Sequence, residues 1–177
     1  EDRLSLLGRN LPYSVLFQVV RELDGRVHFV HMGEAIERLN GVRVQEVLDD
    51  PGVLYRQILD EDMERLRTAE RNSFLSMTSL EAVFRVRRTD GQVRWMHLSS
   101  SPRTLGDGRV LWDGVQTDIT AHHQAEEAAR AKDALMANMV AAAATKRLNF
   151  MGSPGNVWRS SQTRHAACAS QIRKSRP

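Results

Sequence analysis

Asp118 and Thr120 flank the point where an apolar run, Val110 to Ile119, passes without a turn into an alanine-rich, charged segment. A carboxylate or hydroxyl placed there can accept the free backbone N–H groups of a helix start, an interaction worth ~0.5–2 kcal/mol. Chemistry of this kind fixes how a helix leaves a strand, so Asp118, Ile119 and Thr120 form a candidate relay rather than a catalytic group. Gln116 lies two residues before Asp118 and shares its strand face, which suits a polar wall residue. If the fold encloses a cavity, Phe17, Phe29, Phe84, Trp95 and Trp112, with His31 and Gln116 as polar members, are its candidate lining. Trp95 and Trp112 fall on neighbouring strands and could meet as a cross-strand aromatic pair, worth ~0.2–1 kcal/mol. His28, His31 and His97 lie on or beside strands, where a lone histidine serves structure. His122 and His123 open the helix, where exposure is the default. The single Cys168 rules out an internal disulfide and a cysteine-based metal cluster, and a metal site is not expected.

The elements that must position these residues are legible in the pattern. Leu4, Leu6, Leu7 and Leu11 make a short lead-in helix over residues 1–12. Ser14 to Arg21 and Val27 to Met32 read as strands joined by the tight turn Asp24-Gly25. Glu34 to Leu39 and Val44 to Leu48 read as short helices, the first stopped by Asn40-Gly41 and the second by Asp50-Pro51-Gly52. Asp60, Glu61 and Asp62 place acids at the start of a longer helix ending near Met77, with Met63, Leu66, Ala69 and Phe74 on its inner face. Leu80 to Arg88, Val93 to Ser101 and Val110 to Ile119 then form a meander through the turns Thr89-Asp90-Gly91 and Gly106-Asp107-Gly108. Two strands, short helices and three strands predict an α+β fold: one five-stranded antiparallel sheet with helices on one face, followed by a C-terminal output helix.

Thr89-Asp-Gly-Gln-Val-Arg-Trp95, Gly114-Val-Gln-Thr-Asp-Ile-Thr120, Ile36-Glu-Arg-Leu39 before Gly41 and the Asp24-Gly25 hairpin together resemble a PAS sensory domain with its C-terminal PAC half, over residues 13–120. The resemblance implies a sheet cupped around a small cavity and signal output through flanking helices. Gln116 matches the glutamine that touches the flavin ring in light sensors of this class. Those sensors also need a reactive cysteine, and the corresponding region here reads Asn40-Gly-Val-Arg-Val-Gln45. Covalent flavin photochemistry is therefore excluded. The long helix that carries a haem-binding histidine in some members has none between Asp62 and Met77. Neither haem nor flavin is expected.

The output helix, read as residues 121–139, offers two heptad seams. One is Ala121, Ala125, Ala128, Lys132, Leu135 and Met139; the other is Ile119, His122, Glu126, Ala129, Asp133, Met136 and Val140. Either makes a weak coiled coil, and a homodimer through residues 119–139 is the expected assembly. Ala131-Lys-Asp-Ala-Leu-Met-Ala-Asn-Met139 is similar to the segment leading into the phosphoacceptor helix of sensor histidine kinases. The acceptor histidine and the ATP-binding sequences do not follow, because Val140-Ala-Ala-Ala-Ala-Thr145 stands in their place. The expectation is an input domain without catalysis of its own, belonging to a histidine kinase whose frame was lost at Met139 by a frameshift, truncation or junction. A histidine kinase by parentage and a cofactor-bound redox or gas sensor are the alternatives.

Charge sorts in the same way. Val140 to Pro177 holds seven Lys and Arg and no Asp or Glu, leaving 18 basic against 22 acidic residues before it, a formal charge near −4. The sensory part is thus mildly acidic, and nucleic acid is not an expected partner. Residues 140–177 lack a hydrophobic period and are expected to be disordered. No window approaches ~20 apolar residues and no signal-peptide core opens the chain, so a cytoplasmic location is expected.

Overall fold

The computed structural model describes residues 11–151, with side chains to Lys146. The expected lead-in helix lies outside the described residues, apart from Leu11 and Pro12, and so does the tail beyond Met151. Strands β1 (Ser14–Arg21) and β2 (Val27–Met32) form the first hairpin. Helices α1 (Ala35–Asn40), α2 (Val44–Asp49), α3 (Gly52–Tyr55) and α4 (Asp60–Ser76) follow. Strands β3 (Leu80–Arg87), β4 (Val93–Thr104) and β5 (Val110–Asp118) complete an antiparallel sheet in the order β2-β1-β5-β4-β3. The first and last strands therefore pair at the centre, Ser14 opposite Thr117 through Arg21 opposite Val110.

Local chemistry explains the breaks between elements. Gly41 takes φ 74° and its amide closes α1 on the Glu37 carbonyl, a left-handed stop that favours glycine. The Glu46 carboxylate accepts both the Arg43 amide at 3.0 Å and the Arg43 guanidinium at 2.8 Å, closing the start of α2. Asp62, in the acidic first turn of α4, is buried and accepts both the Arg85 amide and its Nε at 2.8 Å, tying the helix to β3. Arg85 holds the Asp62 carboxyl below the ordinary aspartate range against the opposing effect of burial.

The core lies between one face of the sheet and α1, α2 and α4. Ile36, Leu39, Val47 and Leu66 from the helices pack with Val15, Phe17, Phe84, Val86 and Met96 from the strands. Gly114, opposite Phe17, lets that ring lie flat across β5; a Cβ there would collide with it.

Two sequence expectations change. The short α3 follows Pro51 where only a break was expected, since a proline at a helix start loses no hydrogen bond. Helix α5 runs Thr120–Met151 and does not end near Met139, so residues 140–151 are helical rather than disordered. Ala141 to Ala144 has the highest intrinsic helix propensity, and neither Gly nor Pro occurs between Thr120 and Gly152. Among the described residues, no helix is long and apolar enough to cross a membrane.

Candidate functional site: a sheet-lined cavity beside the helix exit

Between the concave face of the sheet and α3–α4 lies a cavity of about 550 Å³. That is within the range of small-molecule sites, roughly 300–1,000 Å³. Phe17, Phe29, Phe84, Trp112 and Gln116 all line it, together with Val15, Met32, Ile36, Ile58 and Leu98. Trp112 packs against Phe74 at 6.2 Å between ring centres, and its Nε1 donates to Ser73 Oγ at 3.0 Å. Phe17 and Phe29 meet edge to face at 5.8 Å.

His31 and Trp95 stand elsewhere, each for a geometric reason. A β-bulge between Gln18 and Val19 sets Gln18 opposite His31 and Val19 opposite Phe29, so Val30 is an extra residue. Phe29 and Met32, three apart, then share the cavity side and His31 leaves it, where simple alternation puts His31 with Phe29. His31 Nε2 is buried and has no hydrogen-bond partner. Trp95 and Trp112 do not pair: Trp112 faces Pro102 across β4–β5, whereas Trp95 lies beside the end of β5. Trp95 also alternates with buried Met96, which puts it on the opposite sheet face. There it stacks on His123 at 3.9 Å and 11°. His123 is thereby partly covered, while His122 is exposed as expected.

Three polar features of the cavity were not singled out in the sequence. Asn40, at the end of α1, is 1% exposed and joins three elements. Its Nδ2 donates to Gln57 Oε1 at 2.8 Å, its Oδ1 accepts from Gln116 Nε2 at 2.9 Å, and its carbonyl accepts from Gln57 Nε2 at 3.0 Å. Tyr55 and Glu70 form a second feature, the phenol donating to the carboxylate at 2.7 Å. Burial pushes the Glu70 carboxyl above the ordinary glutamate range, only partly offset by Tyr55 and Arg67. Burial and the Glu70 charge together push the Tyr55 phenol up. The third feature is a rim of Arg21, Arg67 and Arg71. Arg67, Glu70, Arg71 and Phe74 recur at helical spacing, a signal present in the sequence but masked by the polar character of three of the four.

The cavity lining includes neither histidine nor cysteine, though Tyr55 and Met32 stand in it. Among the described residues no group of three metal-ligating side chains occurs. A ligand that reached for the Asn40 and Gln116 amides would compete with the bond they make to each other and with those of Asn40 to Gln57.

At the end of β5 the candidate relay is tied to the neighbouring strand β4. Asp118 Oδ1 accepts the Thr120 amide at 2.9 Å and the Thr120 hydroxyl at 2.6 Å, and Asp118 Oδ2 accepts Arg94 Nη1 at 2.7 Å. Thr120 Oγ1 in turn accepts the Trp95 amide at 3.0 Å, and the Ile119 amide donates to the Trp95 carbonyl at 2.9 Å. Burial alone would raise the Asp118 carboxyl, but the Thr120 hydrogen bonds and the Arg94 guanidinium outweigh it and hold the group below the ordinary range. The first turn of α5 is thus fixed to the sheet by a charged cap, an amide bridge and the Trp95–His123 stack.

Comparison with known proteins places the fold. No curated protein matches the chain by sequence. The sensory box histidine kinase/response regulator of Burkholderia thailandensis E264 is similar in structure, with a TM-score of 0.59 at 17% identity over 77% of this chain and 99% of that one. The N-terminal domain of a diguanylate cyclase with a PAS/PAC sensor from Marinobacter aquaeolei gives 0.53 at 19% identity, over 62% and 98%. An RNA-binding light-oxygen-voltage receptor gives 0.57 at 22% identity over 77% of this chain, which spans only 38% of that receptor. At these identities the likeness is one of fold. The PAS fold family itself matches residues 12–116, more than half of the chain, and the chain belongs to that family.

Proposed function

We propose that this chain is a sensory input domain that perceives a small, largely apolar ligand in the cavity and passes the event through β5 into α5. The observation that carries the reading is positional. Gln116 lines the cavity and bonds Asn40, and Asp118 and Thr120, two and four residues further along, cap the output helix. A strand is stiff along its length, so a ligand that displaces Gln116 bears directly on the hydrogen bonds of the cap. No step here requires a reaction at the protein, and the domain acts by binding.

The receiver is a second helix of the same kind and, beyond it, a histidine kinase. Leu135, Met136, Met139 and Val140 are 59–69% exposed on α5, and they fall on the two heptad seams, which supports a parallel homodimer. The segment ending at Met139 resembles the lead into a phosphoacceptor helix, and the Burkholderia neighbour is a sensory box kinase. Native mass spectrometry of the undenatured protein tests both elements together. Two chains with a retained small molecule are the expected species, and an empty monomer at every concentration would overturn the reading.

A further inference from the structure

The arginines of this domain are not distributed at random with respect to acids. Arg26, Arg43, Arg85, Arg94 and Arg109 each hold a carboxylate at 2.6–2.9 Å. Arg21, Arg67 and Arg71 make no direct ion pair with a carboxylate among the described residues, although Arg67 acts on Glu70 through its charge, and all three line the same cavity. Exposed Arg38 and Arg87 also lack such a pair, but both stand outside that lining. The three rim arginines come from two walls, Arg21 from the end of β1 and Arg67 and Arg71 from successive turns of α4. Arg21 lies over the face of Phe74 at 4.3 Å, which holds the guanidinium plane and leaves its N–H edge free. Glu70 is the acid of the lining, and its carboxylate is engaged by Tyr55. Beneath the rim the walls are mostly aliphatic and aromatic, with the Asn40–Gln116 amide pair set among them.

We infer that the cavity takes an amphipathic monocarboxylate, its hydrocarbon body buried against Phe17, Phe29, Phe84 and Trp112 and its carboxylate held at the rim by Arg21, Arg67 and Arg71. This rests on the cavity being the sensory site. It goes beyond that reading in naming the ligand class. Guanidinium is suited to the task because its planar fork of donors matches a carboxylate two bonds at a time. A neutral ligand of the same shape would leave Arg21 and Arg71 without a counter-charge and Arg67 with Glu70 alone. A short, fully polar acid would leave the apolar walls unfilled.

Calorimetric titration of the full chain with three probes separates the elements: decanoate (below its micelle concentration), 1-decanol and acetate. Decanoate is expected to bind one per chain, at least tenfold more tightly than decanol, and acetate not at all. Arg67→Gln/Arg71→Gln alters exposed helix positions, which leaves the core intact. That variant is expected to lose tenfold or more in decanoate affinity with decanol unchanged. Decanol binding as tightly as decanoate to the unaltered protein would overturn the inference while leaving an apolar sensory cavity standing. Equal loss of both ligands in the double variant would overturn the carboxylate contact, since the arginines would then be shaping the cavity. Failure of all three probes would overturn the inference and remove its support from the cavity reading together.

Discussion

Replacing Asp118 should cost more than any other single change at the helix exit, and the cost can be worked from its partners. Its side chain is 8% exposed and accepts three hydrogen bonds, two from Thr120 and one from Arg94, whose own side chain is 28% exposed. Loss of a helix-start acceptor costs ~0.5–2 kcal/mol. An exposed ion pair is worth about 0–1 kcal/mol and the breaking of a fully buried one about 3–5, so this half-covered pair falls near 1–2. Asp118→Ala is therefore expected to lose about 1.5–4 kcal/mol in urea denaturation followed by circular dichroism. Asp118→Asn keeps an acceptor for Thr120 and should lose only the ion-pair part, about 1–2 kcal/mol by the same bounds. The two variants also differ from wild type in acid. Because the folded carboxyl titrates below its unfolded value, its contribution is complete above the ordinary aspartate pKa and is lost as pH falls through the lowered one. The acid limb of stability should be shallower in Asp118→Asn than in wild type. Asp118→Ala within about 0.5 kcal/mol of wild type, the ordinary range for surface changes, would refute the reasoning.

Other expectations follow from the same geometry. Glu70 has its pKa raised by burial, so ionising it opposes folding as pH rises through the raised value. Glu70→Gln should accordingly gain stability relative to wild type at pH 7–8 but not near pH 4, as thermal melts at the two pH values would show. Gly114→Ala drives a methyl into the Phe17 ring and should cost ~1–3 kcal/mol in denaturant melts, the usual range for overpacking. Leu135→Lys with Met139→Lys should convert a dimer to a monomer in sedimentation equilibrium while the near-ultraviolet spectrum of the sheet domain stays unchanged.

The fold was legible because its punctuation is local. Asp24-Gly25, Asn40-Gly41, the Asp60–Asp62 acids and the two Asp-Gly turns of the meander each dictate a break or a start without reference to the rest of the chain. The cavity was legible in its apolar part, since Phe17, Phe29, Phe84 and Trp112 sit on strand faces that alternation assigns. His31 was misplaced because one bulged residue, Val30, reverses the alternation after it, and no residue type announces a bulge here. The Trp95–Trp112 pair failed on register: adjacency of strands says nothing about the seven-residue offset between their positions along β4 and β5. Asn40 was read correctly as a helix stop, but its bonds to Gln57 and Gln116 span 17 and 76 residues and depend on tertiary contact. The end of α5 is not marked at Met139, because a lost resemblance to kinases says nothing of structure and the alanines beyond it favour helix on their own.

Coupling between cavity and helix exit is the central claim, and hydrogen exchange tests it most directly in Gln116→Leu. Removing the Gln116–Asn40 bond frees the cavity end of β5 without touching Asp118, Thr120 or Arg94. A loss of ~1 kcal/mol felt at the cap would speed exchange of the Thr120 and His123 amides roughly fivefold, while Val47, in α2, changes less. Acceleration equal at Val47 and at the cap, or none at Thr120 and His123, would contradict the claim.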